Sequence, residues 1–98
     1  MEEMRPHKMK VIFSEHAKFE IARRKIAART VGRMLEHPQQ EIVAAEGKTV
    51  IQGKYRDRHL GKEMLLRIIG RRTKEGFFVI TAYKTSRIGK YWKSEDRG

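Results

Sequence analysis

Four apolar segments follow Pro38 in close succession: EIVAAE at 41–46, TVIQGKY at 49–55, EMLLRIIG at 63–70 and FFVITAY at 77–83. Each has the length of a strand, and the intervals between them carry turn-formers such as the GK of 47–48 and the KEG of 74–76. Consecutive strands joined by short turns pair with their neighbours in opposite directions. The expected frame is therefore a four-strand antiparallel meander.

The chain before Pro38 reads differently. In KMKVIF, residues 8–13, Met9, Val11 and Phe13 fall on one side at period two, as in a short first strand. Ser14 is a natural helix cap and Glu15 favours the first helical turn. An apolar stripe through Ile26, Val31 and Leu35 then runs to Pro38, which ends it. This spacing predicts two short helices with a joint at 25–28, one bent helix being the alternative. The order of one N-terminal strand, two short helices and four strands predicts an α+β fold with its helices on one face of the sheet. The 98 residues are expected to make a single domain, with an ordered core over about 8–93 and loose tails expected at 1–7 and 94–98.

Charge narrows the partners. The formal net charge is +11, and residues 51–98 hold 13 basic and 5 acidic groups against 10 and 7 in residues 1–50. A field of that sign attracts polyanions, and arginine forks onto phosphate oxygens, so nucleic acid leads as partner class. An anionic membrane is a weaker candidate, since no long basic amphipathic helix carries the charge, and an acidic protein also fits. Cysteine is absent, which excludes disulfides, thiolate metal sites and cysteine nucleophiles. No apolar run approaches the roughly 18 residues of a membrane span, and MEEMRPHK lacks the apolar middle of a secretory signal, so a cytoplasmic location is expected. His7, His16, His37 and His59 show no metal-ligand spacing, and neither metal nor cofactor is implied.

Several residues interrupt the apolar patterns. Arg67 breaks the run between Leu66 and Ile68; alternation places Met64, Leu66 and Ile68 on one face and Leu65, Arg67 and Ile69 on the other. In the last strand Phe78, Ile80 and Ala82 form one set and Phe77, Val79, Thr81 and Tyr83 the other. Thr81 and Tyr83 thereby join Arg67 on a face free of helices. Lys84, Thr85, Ser86 and Arg87 follow at the strand end, where loops commonly carry binding groups. GKYRDRHLGK at 53–62 reads as a polar, basic loop whose Lys54, Tyr55, Arg56, Arg58 and His59 can neutralise phosphates and stack a base. His16 lies on the helix wheel beside Glu20 and Arg23, away from the apolar side, where it suits proton transfer. Each has a plain structural reading as well: a paired arginine, a solvated loop, a surface histidine.

The segments FSEHAKFEIARRKI, VGRMLEHPQQEI, RIIGRR and FFVITAYKTSRIGKYW together resemble a small domain-of-unknown-function family with a His-Ala helix and a closing VTxYxTS strand. That family is similar to the RelE/ParE-like toxins and colicin-type ribonucleases of the barnase-EndoU-colicin-RelE fold. The resemblance implies a RelE-like fold and a metal-independent endoribonuclease of the mRNA-interferase kind, acting on RNA in some cases at the ribosome and held by an acidic antitoxin. It also implies active-site roles for His16, Lys84, Thr85 and Ser86, with Arg67, Arg87 and Tyr91 as counterparts of a basic and aromatic set. The sequence departs from the family pattern at Lys25, where a glycine commonly breaks the helix.

The implied chemistry is attack of an RNA 2′-OH on the adjacent phosphorus. His16 is the expected base or acid, Lys84, Arg67 and Arg87 stabilise the phosphorane, and Thr85 and Ser86 orient the phosphate. Tyr55, Tyr83, Tyr91 or Trp92 would stack a flanking base, with a lid over the core as the other reading for Trp92. Two alternatives stand beside the enzyme: a non-catalytic nucleic-acid-binding module, and a basic partner of an acidic antitoxin-like protein.

Overall fold

The computed structural model describes residues 9–94, so the reading of His7 and all of the tails except Ser94 lie outside the described residues. The elements run β1 (Lys10–Phe13), α1 (Glu15–Arg23), α2 (Ala28–Glu36), β2 (Gln40–Val43), a 3-10 turn (Ala45–Gly47), β3 (Thr49–Asp57), β4 (Lys62–Arg72), β5 (Gly76–Thr85) and α3 (Ile88–Tyr91). They form an α+β fold on one five-stranded mixed sheet of order β1-β5-β4-β3-β2. The antiparallel meander of β2 to β5 matches the sequence pattern. The sequence pattern left the place of β1 open; it pairs in parallel with β5 at the sheet edge, from Lys10 beside Gly76 to Phe13 beside Val79. No helix among the described residues is long and apolar enough to cross a membrane.

Local chemistry explains the helical layer. The Ser14 oxygen accepts the Ala17 N–H at 2.9 Å, as an N-cap does, while the Ser14 hydroxyl donates to the Ile80 carbonyl at 3.1 Å. Helix α1 then lies along β5, and at its far end the Arg24 guanidinium donates to the Ala82 carbonyl at 2.8 Å. The joint is a Schellman turn: Lys25 N–H reaches the Ala22 carbonyl at 3.2 Å and Ile26 N–H the Ile21 carbonyl at 2.8 Å. Lys25 takes the left-handed conformation there, with φ +57°. This is the position where glycine commonly stands in the family that the sequence resembles, and a side chain in that region costs about 1–2 kcal/mol. Lys25→Gly is therefore expected to raise stability by about 1 kcal/mol in urea denaturation, since glycine accepts the conformation but also gains unfolded-state freedom.

The core lies between these helices and one face of the sheet. Ala17 and Ile21 from α1, Ile26 from the joint, and Val31, Met34 and Leu35 from α2 pack on Ile51, Leu66, Ile68, Phe77, Val79 and Ala82. Met9, Val11 and Phe13 join them, as their period-two spacing predicts. The last strand departs from simple alternation. Ile69 pairs with Thr81 but Gly70 with Val79, so Ile80 is bulged out of register. The bulge turns Phe77 and Val79 toward the helices and leaves Ala82 facing them too. The expectation that Phe78 and Ile80 share the core face with Ala82 is thus corrected, whereas Thr81 and Tyr83 do fall beside Arg67. Gly70 permits the close approach, since a Cβ there would collide with the Phe78 carbonyl oxygen.

The other face of the sheet is covered as well. Residues 87–93 cross it from β5 toward β2, and the expectation of a helix-free side is corrected by this C-terminal strap. Gln40 brackets Lys93, donating to its carbonyl at 2.7 Å and accepting its N–H at 3.0 Å. Gln52, fully buried, donates to the Tyr91 carbonyl at 3.0 Å and to the Gln40 side-chain oxygen at 2.8 Å. The strap is held by polar contacts rather than by burial, since no residue of α3 is itself buried.

Candidate nucleic-acid interface

Arg67 occupies the strap side and is already engaged. Its Nε donates to Gln52 Oε1 at 2.8 Å and a terminal nitrogen donates to the Tyr83 hydroxyl at 2.7 Å. The Tyr91 ring centroid lies 4.3 Å from the guanidinium carbon, and Tyr83 and Tyr91 meet edge-on at 6.3 Å. The Tyr83 hydroxyl holds the Tyr91 phenol below its ordinary range, helped by the charge of Lys90. Lys54 lies on the same face with its ammonium 4.3 Å from the Trp92 ring. Sequence alternation therefore gathers Arg67 and Tyr83 correctly, but the cluster serves to pin the strap.

The remaining candidates separate. Lys84 pairs in register with Leu66, a core residue, and so points to the helical side, opposite Arg67. His16 is exposed in the first turn of α1, about 12 Å along the helix from Arg24 and hence far from the β5 end that holds Lys84. Ser86 and Arg87 are exposed beyond β5, and the Thr85 hydroxyl accepts the Arg87 N–H at 3.0 Å. His16, Lys84, Ser86 and Arg67 do not form one centre. The stretch 53–62 is not one loop either: Lys54, Tyr55 and Arg56 belong to β3 and only Arg58 to Gly61 make the turn. Tyr55 and Asp57 face the helices, with Lys54 and Arg56 on the reverse.

A groove of about 1380 Å³ opens on the helical side, between the α1–α2 joint and the β3–β4 turn. Lys25, Arg29 and Arg33 line one wall, and Arg56 and Arg58 belong to the other. Lys25, Arg29, Arg33 and Arg58 make no ion pair among the described residues, and His37 and His59 stand at the same walls. Asp57 is the groove's one carboxylate among its lining residues. Unpaired cations around a concavity concentrate a positive potential, since low-dielectric walls focus the field.

Asp57 is 3% exposed and fully employed. Its Oδ2 accepts from Lys84 Nζ at 2.7 Å and from the Tyr55 hydroxyl at 3.0 Å, and its Oδ1 accepts the Leu60 N–H at 3.0 Å. The Asp57 carbonyl also takes the Gly61 N–H at 2.7 Å, closing the turn. The Lys84 hydrogen bond, reinforced by those from Leu60 and Tyr55, outweighs burial and holds the carboxyl down at about 2. Burial pushes the Tyr55 phenol up, and its bond to Asp57 adds to that. Tyr55 therefore stays protonated, a donor and a wall rather than a base.

Asp57 and the α2 arginines escape a reading of the sequence alone. Asp57 sits amid Lys54, Arg56, Arg58 and His59, whose charges dominate the stretch. An Asp followed by Gly four residues later between two strands is nonetheless a turn signal, because Asp side chains bond backbone N–H groups just ahead. Arg29 and Arg33 are spaced four apart, which places them on one helix face, but nothing in the sequence says that this face borders the end of β3. Searches against protein-family models, curated proteins and solved structures each found no match.

Proposed function

We propose that this chain is a RelE-like, cytoplasmic RNA-binding domain that seats a single-stranded sugar-phosphate backbone in the groove between the α1–α2 joint and the β3–β4 turn. One observation carries the reading: four cations from the joint, α2 and the turn, without ion-pair partners among the described residues, surround a concavity whose single carboxylate among the described lining residues is already neutralised by Lys84. Phosphate contacts supply sequence-independent affinity, and flat side chains such as His37 and His59 can stack unpaired bases. The recessed site offers no protruding helix for a duplex major groove, which favours a single strand.

A ribonuclease reading moves with the site. The imidazoles of His37 and His59 are the groove's proton-transfer groups, and Arg29 and Arg58 are placed to stabilise a phosphorane. In that reaction the 2′-OH loses its proton as it bonds to phosphorus and the 5′ oxygen leaves with a proton, giving a 2′,3′-cyclic phosphate. An acidic antitoxin-like protein would compete for the same cations.

Fluorescence anisotropy with a labelled single-stranded RNA tests the binding. Arg29→Ala with Arg33→Ala should lower the slope of log K against log salt by about 0.7 for every phosphate that is no longer neutralised. Unchanged binding in that variant, or in Arg58→Ala, would reject the groove. Cleavage is read in EDTA: a product abolished by His59→Ala or His37→Ala supports the enzyme, and no product from the parent chain leaves a binding module.

A further inference from the structure

Lys84 stands behind the groove rather than in it. Its side chain is 14% exposed, its ammonium donates to Asp57 Oδ2 at 2.7 Å, and a second, longer contact at 3.5 Å reaches the Lys25 carbonyl. Asp57, Tyr55 and Lys25 line the concavity, whereas Lys84 does not. Asp57, its side chain only 3% exposed, is thus the member of the pair that belongs to the groove's wall, and Lys84 reaches it from outside that lining. The Asp57 carboxylate in turn accepts the N–H of Leu60, and its backbone carbonyl that of Gly61, the residues that follow Arg58 and His59 in the turn.

We infer that Lys84 is a positioning residue that acts through Asp57: it cancels the carboxylate's charge and fixes it so that the turn presents Arg58 and His59, and it does not itself touch bound phosphate. This rests on the groove being the phosphate site. The ion pair explains how an acidic residue can stand in the wall of a site for anions. Without Lys84 an uncompensated carboxylate would stand in the groove's wall, and like charge at short range in a recessed site repels strongly. Without both partners the wall is neutral again, and the net charge of the protein is unchanged.

The test is a double-mutant cycle read by RNA anisotropy over about 50–200 mM salt, using Lys84→Met, Asp57→Asn and the pair combined, each checked for folding by circular dichroism. Lys84→Met keeps the apolar stem, and Asp57→Asn keeps an oxygen for the Leu60 N–H. Lys84→Met alone should weaken binding at least about tenfold, and the double variant should return to within about twofold of the parent with the salt slope restored. A double variant about tenfold weaker than the parent, with its slope lower by about 0.7, would show a direct phosphate contact and overturn the inference. Should Lys84→Met fail to fold, the comparison of parent with double variant decides alone. A parent chain that binds no RNA removes the groove reading and this inference together, whereas a weak double variant removes only the inference.

Discussion

Asp57→Ala should destabilise the domain by about 3–5 kcal/mol, the cost of stripping a buried charge of its partner. The substitution leaves the Lys84 ammonium beneath the groove without its counter-ion, the Tyr55 hydroxyl without an acceptor and the Leu60 N–H unbonded. Each of these part-buried donors left without its acceptor adds to the loss. A domain of this size has about 5–15 kcal/mol in hand, so the variant should be near its folding limit. Urea denaturation measures this, and a loss under about 1 kcal/mol would mean that the cluster is solvated and unimportant. The same carboxylate carries an acid signature. Its folded value, about 2, lies below the ordinary 3.8, so the stability it contributes is complete above pH 3.8 and is lost as the pH falls toward 2. Glu20 and Glu41 are also held low by arginine partners. The Asp57 share is the part of the acid-side fall in Tm that disappears in Asp57→Asn.

Gly76→Ala should cost about 3 kcal/mol, at the upper end of what forced overpacking produces. Gly76 pairs with Lys10 at the start of the parallel ladder, and an added Cβ would strike the Lys10 carbonyl oxygen and lie 2.6 Å from its nitrogen. Both are backbone atoms and cannot swing aside as a side chain would. The Gly76 N–H also donates to the Thr73 hydroxyl at 2.9 Å, and its carbonyl accepts the Thr73 N–H at 3.0 Å, closing the β4–β5 hairpin. The strain must therefore be taken up by withdrawing β1 from the sheet or by opening the turn. A fall in Tm of about 12–24 °C is the expected reading. Amide exchange at Lys10 and Ile12 would be accelerated if β1 withdraws, and a near-unchanged Tm would show that the ladder yields easily.

Much of the architecture was legible along the chain because it depends on near neighbours. The Ser14 cap, the helix break at the joint and the hairpins are local choices, set by hydrogen bonds within a few residues and by the chirality of the backbone. Alternation likewise placed Arg67 beside Tyr83, a pair that the structure joins at 2.7 Å. The same rule failed in the last strand, where a single bulged residue, Ile80, shifts the parity between Phe77 and Thr81. A bulge is decided by the partner strand and by Ser14, which takes the Ile80 carbonyl from 66 residues away.

The candidate site was less legible for the same reason. Composition marked the second half of the chain as the basic one, yet half of the groove comes from Lys25, Arg29 and Arg33 in the first half, brought there by α2 packing over β3. Lys84, Arg67 and His16 each looked accessible in isolation. Pairing put them on different sides or ends of the sheet and filled two of them with partners.

Residue order alone determined the Ser14 cap, the sequence of one strand, a helical stretch and four further strands, and the excess of positive charge, because these follow from interactions within a few residues and from simple counting. Only the tertiary structure decided that β1 closes beside β5, that a strap covers the face of Arg67, and that Asp57 quenches Lys84 beneath a cationic groove. Those outcomes depend on which surfaces meet across distances of 27 to 66 residues, and such meetings are set by the packing of the whole fold.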